Sequence, residues 1–243
     1  MNQKIIITGA SRGLGLALAQ SFLKAGDSVI GITRSRSHWA AAKRTLSYLG
    51  EIEFYQMDVS DESSVRTFFS KNRKKISGLD ILINNAGYGG ILAPVEKLRL
   101  PELEKHIRMN LIGAFLMSQY AIPIMKKKAS GCIVNISSMA GKRAVPRLFA
   151  YSAAKSGILA LTQCLVKENE NSGIRCLTVC PGGMNTTMRS SLFGEEDASK
   201  QQSAEFVAGI LMDVLRDKIQ VPNGGDIVIR HGKITAINPL PEA

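Results

Sequence analysis

Tyr151 and Lys155 lie four residues apart in the segment AYSAAKSG, and Ser138 precedes the tyrosine by thirteen residues. On a helix, residues four apart project from one face, so the phenol and the ammonium share a small volume. A phenol beside a cation is suited to protonating a carbonyl oxygen while hydride arrives at the carbon, and a second hydroxyl can steady the charge developing on that oxygen. An ordinary phenol has a pKa of about 10, and each unit of lowering corresponds to about 1.4 kcal/mol, so Lys155 is expected to tune Tyr151. Ser138 is preferred to Ser137 because it directly follows the apolar run GCIVNIS, where strand alternation turns Ser137 to the other side, and because of its spacing of thirteen to Tyr151. A tyrosine–lysine pair on a helix and a serine at a strand end are each commonplace as structure. Their conjunction points to catalysis.

Hydride needs a carrier, and the chain opens with a segment fit to hold one. In TGASRGLG, Gly9, Gly13 and Gly15 fall where a strand turns abruptly into a helix and the backbone must approach a pyrophosphate, with Ser11, Arg12 and Leu14 completing the turn. The next apolar run, SVIGIT, ends at Thr33 and Arg34, where a dinucleotide fold reads the ribose 2′ position. An acidic residue there would select a hydroxyl. Arg34 and Arg12 instead offer two guanidinium groups to a 2′-phosphate, so NADP(H) is the expected cofactor. The segment NNAG, Asn84 to Gly87, combines amides with small residues at the end of LDILIN, where a sheet edge must admit a flat ligand.

These residues need a scaffold, and the chain's rhythm supplies one. The runs KIIIT, SVIGIT, IEFYQM, LDILIN, GCIVNIS, IRCLTVC and DIVIR alternate with helical patterns around Gly13–Lys24, His38–Leu49, Glu62–Arg73, Pro101–Met125, Phe149–Glu170 and Ala204–Leu215. Such alternation, with strands that are apolar throughout, predicts an α/β fold: a Rossmann-type doubly wound parallel sheet of about seven strands with helices on both faces. Residues 1–243 read as a single dinucleotide-binding and catalytic domain. The one long, weakly patterned connection, near 186–203, is expected to be a substrate loop, with Met188, Leu192 and Phe193 as its apolar face.

The 31 basic residues outnumber the 20 acidic ones, for a net charge of +11, which favours phosphate-bearing or acidic ligands. The clusters Arg73–Lys75 and Lys126–Lys128 sit at helix ends without interleaved aromatics, so nucleic acid is not an expected partner. No apolar run has membrane-spanning length and no signal-peptide pattern leads the chain, so the expectation is a cytoplasmic protein with no membrane association. Cys132, Cys164, Cys176 and Cys180 lack CxxC spacing, and His38, His106 and His231 lie far apart. Neither disulfides nor a metal site is indicated, and all four cysteines are expected to be reduced core thiols.

Taken in order, TGASRGLG, Asp58-Val59, NNAG, Asn110, Ser138, Tyr151 with Lys155, and PGGMNT at Pro181–Thr186 resemble the motifs of the short-chain dehydrogenase/reductase family, in its single-domain NADP(H)-dependent branch. The resemblance covers Met1 to Leu215. It implies that Asp58 and Val59 meet the adenine, that Asn84, Ala86 and Gly87 support the cofactor's ribose side, and that Pro181, Gly182 and Thr186 border the nicotinamide. It also implies that Lys155 holds the nicotinamide ribose, and that the Asn110 backbone holds a water linking Lys155 to solvent. The activity expected is NADPH-dependent reduction of a ketone, either a small carbonyl compound or a 3-oxoacyl group on an acyl carrier, with Tyr151 as general acid. A nucleotide-sensing binding protein that keeps the fold is the alternative. A sugar-nucleotide epimerase or dehydratase fits less well, because its glycine motif is TGxxGxxG and it needs a larger substrate region. Relatives of this branch often finish in a VDGG-like tail that helps build a tetramer, whereas this chain continues as GGDIVIRHGKITAINPLPEA. The apolar faces of the helices after Pro101 and Phe149 nevertheless point to a homodimer or homotetramer.

Overall fold

Runs of β-branched residues such as KIIIT and SVIGIT have no polar side to present to water and become buried strands, whereas the edge run IEFYQ buries only Phe54. In the computed structural model, which describes residues 2–241, the amino-terminal half runs β1 (Lys4–Thr8), α1 (Gly13–Lys24), β2 (Ser28–Thr33), α2 (Arg36–Leu46), β3 (Ile52–Gln56), α3 (Glu62–Lys71), α4 (Arg73–Ile76) and β4 (Ile81–Asn84). It continues with α5 (Leu100–Ile107), α6 (Gly113–Lys128), β5 (Gly131–Ile136), α7 (Met139–Lys142), α8 (Phe149–Glu168) and β6 (Ile174–Pro181). The chain then forms α9 (Thr187–Phe193), α10 (Glu195–Ser199), α11 (Ala204–Leu215), β7 (Asp226–Arg230) and β8 (Lys233–Asn238). None of the described helices is long and apolar enough to cross a membrane.

The strands form one sheet in the order β3-β2-β1-β4-β5-β6-β7-β8, parallel except for the last pair. Strand alternation divides the core. Ile5 and Ile7 face a cluster with Leu18 and Phe22 of α1 and Val207 and Leu211 of α11, while Ile6 faces Phe68 of α3, Leu116 of α6 and Leu165 of α8. Helices on both faces hide the sheet, as the apolar strands require.

The sheet has eight strands where the sequence suggested about seven. KITAIN was not legible as a strand because its residues alternate between exposed and half-buried, and it pairs only as an antiparallel edge. Its existence depends on a two-residue turn at His231 and Gly232, both with positive φ (51° and 68°), the geometry that lets adjacent strands fold back in a tight hairpin.

Two helical expectations also changed. The stretch from Pro101 to Met125 is not one helix: α5 and α6 are joined by a π-turn at Arg108–Ile112 that contains Asn110. Apolar periodicity does not register one inserted residue, yet such an insertion re-aims side chains and often marks a functional site. The connection near 186–203 is ordered into α9 and α10. Thr186 caps α9 by accepting from the Arg189 amide, and Arg189 pairs with Asp197. Among the cysteines, Cys164 is exposed on α8, not in the core, while Cys176 and Cys180 are buried and Cys132 is intermediate.

Candidate active site

The strand order reverses between β1 and β4, so the connections leaving these strands part and open a crevice at their carboxyl ends. Thr8 ties the two lips together. Its hydroxyl accepts from the Asn85 and Ala86 amides at 2.9 Å each and donates to the Ile83 carbonyl at 3.3 Å, while the Asn85 side chain donates to the Thr8 carbonyl at 2.9 Å. Gly9, with φ of +69°, turns the chain from β1 toward α1, and a Cβ there would lie 3.0 Å from Ala86 Cα. Helix α1 starts at Gly13 with no side-chain cap, which leaves the amides of its first turn free for an anion.

The resulting crevice, about 270 Å³, is lined at one end by Gly9, Ser11, Arg12, Gly13, Leu14 and Arg34. Val59, Ala86, Gly87, Pro181, Gly182 and Thr186 also line it, Thr186 close to Gly13, and Asn110, Ser138, Tyr151 and Lys155 complete the wall. Of the residues singled out from the sequence, Gly15, Asp58 and Asn84 are not in its wall. Gly15 serves packing: a Cβ there would fall 2.2 Å from the Gly9 carbonyl oxygen. The Asp58 carboxylate accepts from the Ser60 amide and hydroxyl at 2.9 and 2.7 Å, fixing the turn after β3. Asn84 is buried, donating to Asn135, to Ser118 and to the Ala114 carbonyl. Its neighbour Asn85, within NNAG, and Thr33, at the end of SVIGIT, line the crevice, as do Met57 and Met109, which no local motif singles out.

Gly15→Ala is expected to destabilise the fold by about 1–3 kcal/mol through overpacking. Gly209→Ala, at an exposed position of α11 where an added Cβ meets nothing within 4 Å, is expected to stabilise by about 0.5–1 kcal/mol. Urea midpoints of the two variants against wild type check the contrast.

At the far end, Ser138 follows β5 and caps the short α7. Its Oγ accepts from the Ala140 amide at 3.1 Å, which leaves the hydroxyl proton available to a ligand. Ser137 turns inward and donates to the Lys155 carbonyl at 2.7 Å, fastening α8 to the sheet end. Gly141 permits this approach, since a Cβ there would lie 2.7 Å from Lys155 backbone atoms. Lys155 is buried, and its Nζ donates to the Ile136 carbonyl at 2.8 Å and sits 5.8 Å from the centre of the Tyr151 ring.

Burial dominates the electrostatics of this pair. It raises the Tyr151 phenol above its ordinary value, with the Ser138 hydroxyl acting the other way, and it lowers Lys155 to about 8. The expectation that Lys155 would govern the phenol is thus replaced by desolvation as the larger influence. A raised phenol keeps its proton, the form that can donate.

Asn110 sits in the π-turn, where its side chain bridges the backbone of Tyr88: Oδ1 accepts from the Tyr88 amide at 3.0 Å and Nδ2 donates to the Tyr88 carbonyl at 2.9 Å. It thereby holds the loop after β4 over the crevice. His106 was set aside in the sequence as an isolated histidine, yet it is buried against Tyr88 and stands edge-on to Tyr151, with ring centres 6.1 Å apart. Burial lowers its pKa, against the opposing charge of Glu102. Its spacing of four from Asn110 was the only available signal.

Beyond Ser138 and Tyr151 the crevice opens into a second cavity of about 800 Å³, with Gly182, Met184, Thr186 and Met188 shared between the two. Leu192 and Phe193 of α9 line its outer side, as the apolar face of this connection suggested.

The short chain dehydrogenase family model matches residues 3–197. The chain is 32% identical to 2-(R)-hydroxypropyl-CoM dehydrogenase of Xanthobacter autotrophicus over 262 aligned positions, covering 98% of this chain and 100% of that protein. The structure is similar to that of levodione reductase (TM-score 0.88, 26% identity, 95% of this chain and 96% of the other). It is also similar to ElxO with NADP bound (TM-score 0.85, 27% identity, 94% and 97%).

Proposed function

The chain belongs to the short-chain dehydrogenase/reductase family, and from that premise we propose that it is an NADPH-dependent carbonyl reductase. The observation that carries this reading is the continuity of one crevice from the glycine turn, with Arg12 and Arg34, to Ser138, Tyr151 and Lys155, where it opens into a cavity large enough for a ketone. The residues present fit the dinucleotide. The uncapped start of α1 suits its pyrophosphate, and Arg12 and Arg34, neither ion-paired among the described residues, suit a 2′-phosphate. The NADP named with ElxO supports the same choice.

NADPH supplies a hydride when bound. Tyr151 then gives its proton to the carbonyl oxygen, Ser138 donates a hydrogen bond to that oxygen, and Lys155 positions the phenol and reaches toward the cofactor's ribose. Asn110 keeps the Tyr88 loop in place. The reading includes self-association through α6 and α8, where Phe115 and Phe149 are each 45% exposed.

The direct test is NADPH oxidation with a panel of ketones. Tight NADPH binding without oxidation of any of them would favour a nucleotide sensor. Arg34→Ala tests the cofactor choice: the NADPH-to-NADH ratio of kcat/KM is expected to fall at least about tenfold, matching the loss of one charge-assisted phosphate contact. A wild-type ratio near one, unchanged in the variant, counts against NADPH.

A further inference from the structure

The second cavity has an uneven charge distribution. Among the described residues no carboxylate lines it, while Arg143, Arg189, Lys200 and Arg230 all do. Two of these cations are already neutralised: Arg189 pairs with Asp197 and lies 3.9 Å over the Phe193 ring, and Lys200 pairs with Glu196. Arg143 and Arg230 have no carboxylate within ion-pair distance among the described residues.

Arg230 is the more telling of the two. It is half-buried, and its one side-chain hydrogen bond among the described residues runs to Nε2 of His231 at 3.3 Å. A guanidinium carries five N–H donors, so most of its capacity is unused. Its stem lies across Gly182, where an added Cβ would meet Arg230 Cγ at 2.8 Å. Gly182 belongs to both the crevice and the cavity, whereas Arg230 lines only the cavity, so its charge serves the substrate side and not the dinucleotide.

The carboxy-terminal hairpin holds this charge in place. The tight turn at His231 and Gly232 returns the chain from β7 into β8, and Gln202 clamps it by donating to the Ile229 carbonyl at 2.9 Å and accepting from the Gly232 amide at 3.3 Å. The same lining carries apolar side chains, Leu148, Met188, Leu192 and Phe206, beside the polar Thr186, Gln201 and Ser203.

We propose that the substrate is an anionic ketone: an oxo compound whose far end bears a carboxylate, sulfonate or phosphate, held by Arg230 and Arg143 while its carbonyl faces Ser138 and Tyr151. The proposal rests on the reductase reading and deepens it. The guanidinium fork can bind two oxygens of any of these anions at once, and the half-buried setting of Arg230, unlike the exposed Arg143, strengthens its contact.

The test uses the purified full chain with NADPH and ketones that differ only at the far end: 4-acetylbenzamide as the neutral reference, against 4-acetylbenzoate, 4-acetylbenzenesulfonate and 4-acetylphenyl phosphate. The best anion is expected to exceed the amide at least about tenfold in kcat/KM, and its rank among the three identifies the headgroup. Arg230→Gln, and more so R143Q/R230Q, is expected to lower that anion-to-amide ratio about tenfold, and added salt is expected to lower it in wild type. A wild-type ratio near one, or a ratio unmoved in the double variant, overturns the proposal and leaves the reductase reading intact. Binding is measured separately from the fluorescence of NADPH in the complex. Anion binding that weakens in the double variant, with no turnover of any ketone, upholds the charge-selective cavity and sinks the reductase reading. Equal binding of amide and anions sinks the proposal.

Discussion

Tyr151→Phe is expected to lower kcat for ketone reduction by roughly 10²–10⁴-fold, the range contributed by a positioned general acid, while NADPH still binds. The substitution removes one oxygen and leaves the ring against His106, so packing and crevice shape persist. Stopped-flow measurement of hydride transfer and equilibrium titration with NADPH separate the two effects. Because burial raises the phenol above its ordinary pKa, wild-type reduction is expected to hold as pH rises through neutrality, with loss of the Lys155 proton at about 8 acting before the phenol itself ionises. Phe at this position removes only the limb due to the phenol. Full turnover in the variant would remove Tyr151 from the chemistry.

Lys155→Met should separate function from stability. Turnover is expected to drop by about 10²-fold or more, because the group proposed to position Tyr151 and the ribose is lost. Stability near pH 7 is expected to rise. The folded protein lowers this ammonium from 10.5 to about 8, so between those values the unfolded chain binds more protons than the folded one. Wild-type stability therefore increases with pH from about 8 to 10.5, and below about 8 the full penalty of the buried charge is present. That penalty is on the order of 3 kcal/mol, offset in part by the Ile136 carbonyl losing its donor in the variant. Thermal unfolding at pH 7 and pH 10 checks both signs: the methionine protein should melt higher at pH 7, and its advantage should shrink at pH 10. A lower melting temperature at pH 7 would show that the hydrogen bond to Ile136 outweighs the cost of burying the ammonium.

Local chemistry made the main elements legible. KIIIT, SVIGIT and GCIVNIS are nearly continuous apolar runs and become buried strands, and α1 and α11 span the same residues as the helical patterns Gly13–Lys24 and Ala204–Leu215. The same holds for the crevice residues that occupy a strand-to-helix turn, because a turn there can open only at the carboxyl edge of the sheet. Asn84 and Asn85 show the limit. Both are amides in one short segment, and their roles divide only because β4 is central, which turns one into the core beside Asn135 and the other toward Thr8.

The sequence by itself determined the alternating strands and helices, the glycine turn, and the types of group that could pass a proton to a carbonyl, because each is encoded within a few neighbouring residues. Tertiary structure alone decided the environment of those groups. It brought Tyr151 and Lys155 into a desolvated corner where burial is the largest influence on both, inserted the π-turn that aims Asn110 at Tyr88, and folded KITAIN back beside Arg230, whose stem crosses Gly182. The physical reason is range: strand periodicity and turn chemistry act over a few residues, whereas desolvation and the unpaired charge of the cavity depend on segments far apart in the chain that meet only at the sheet edge.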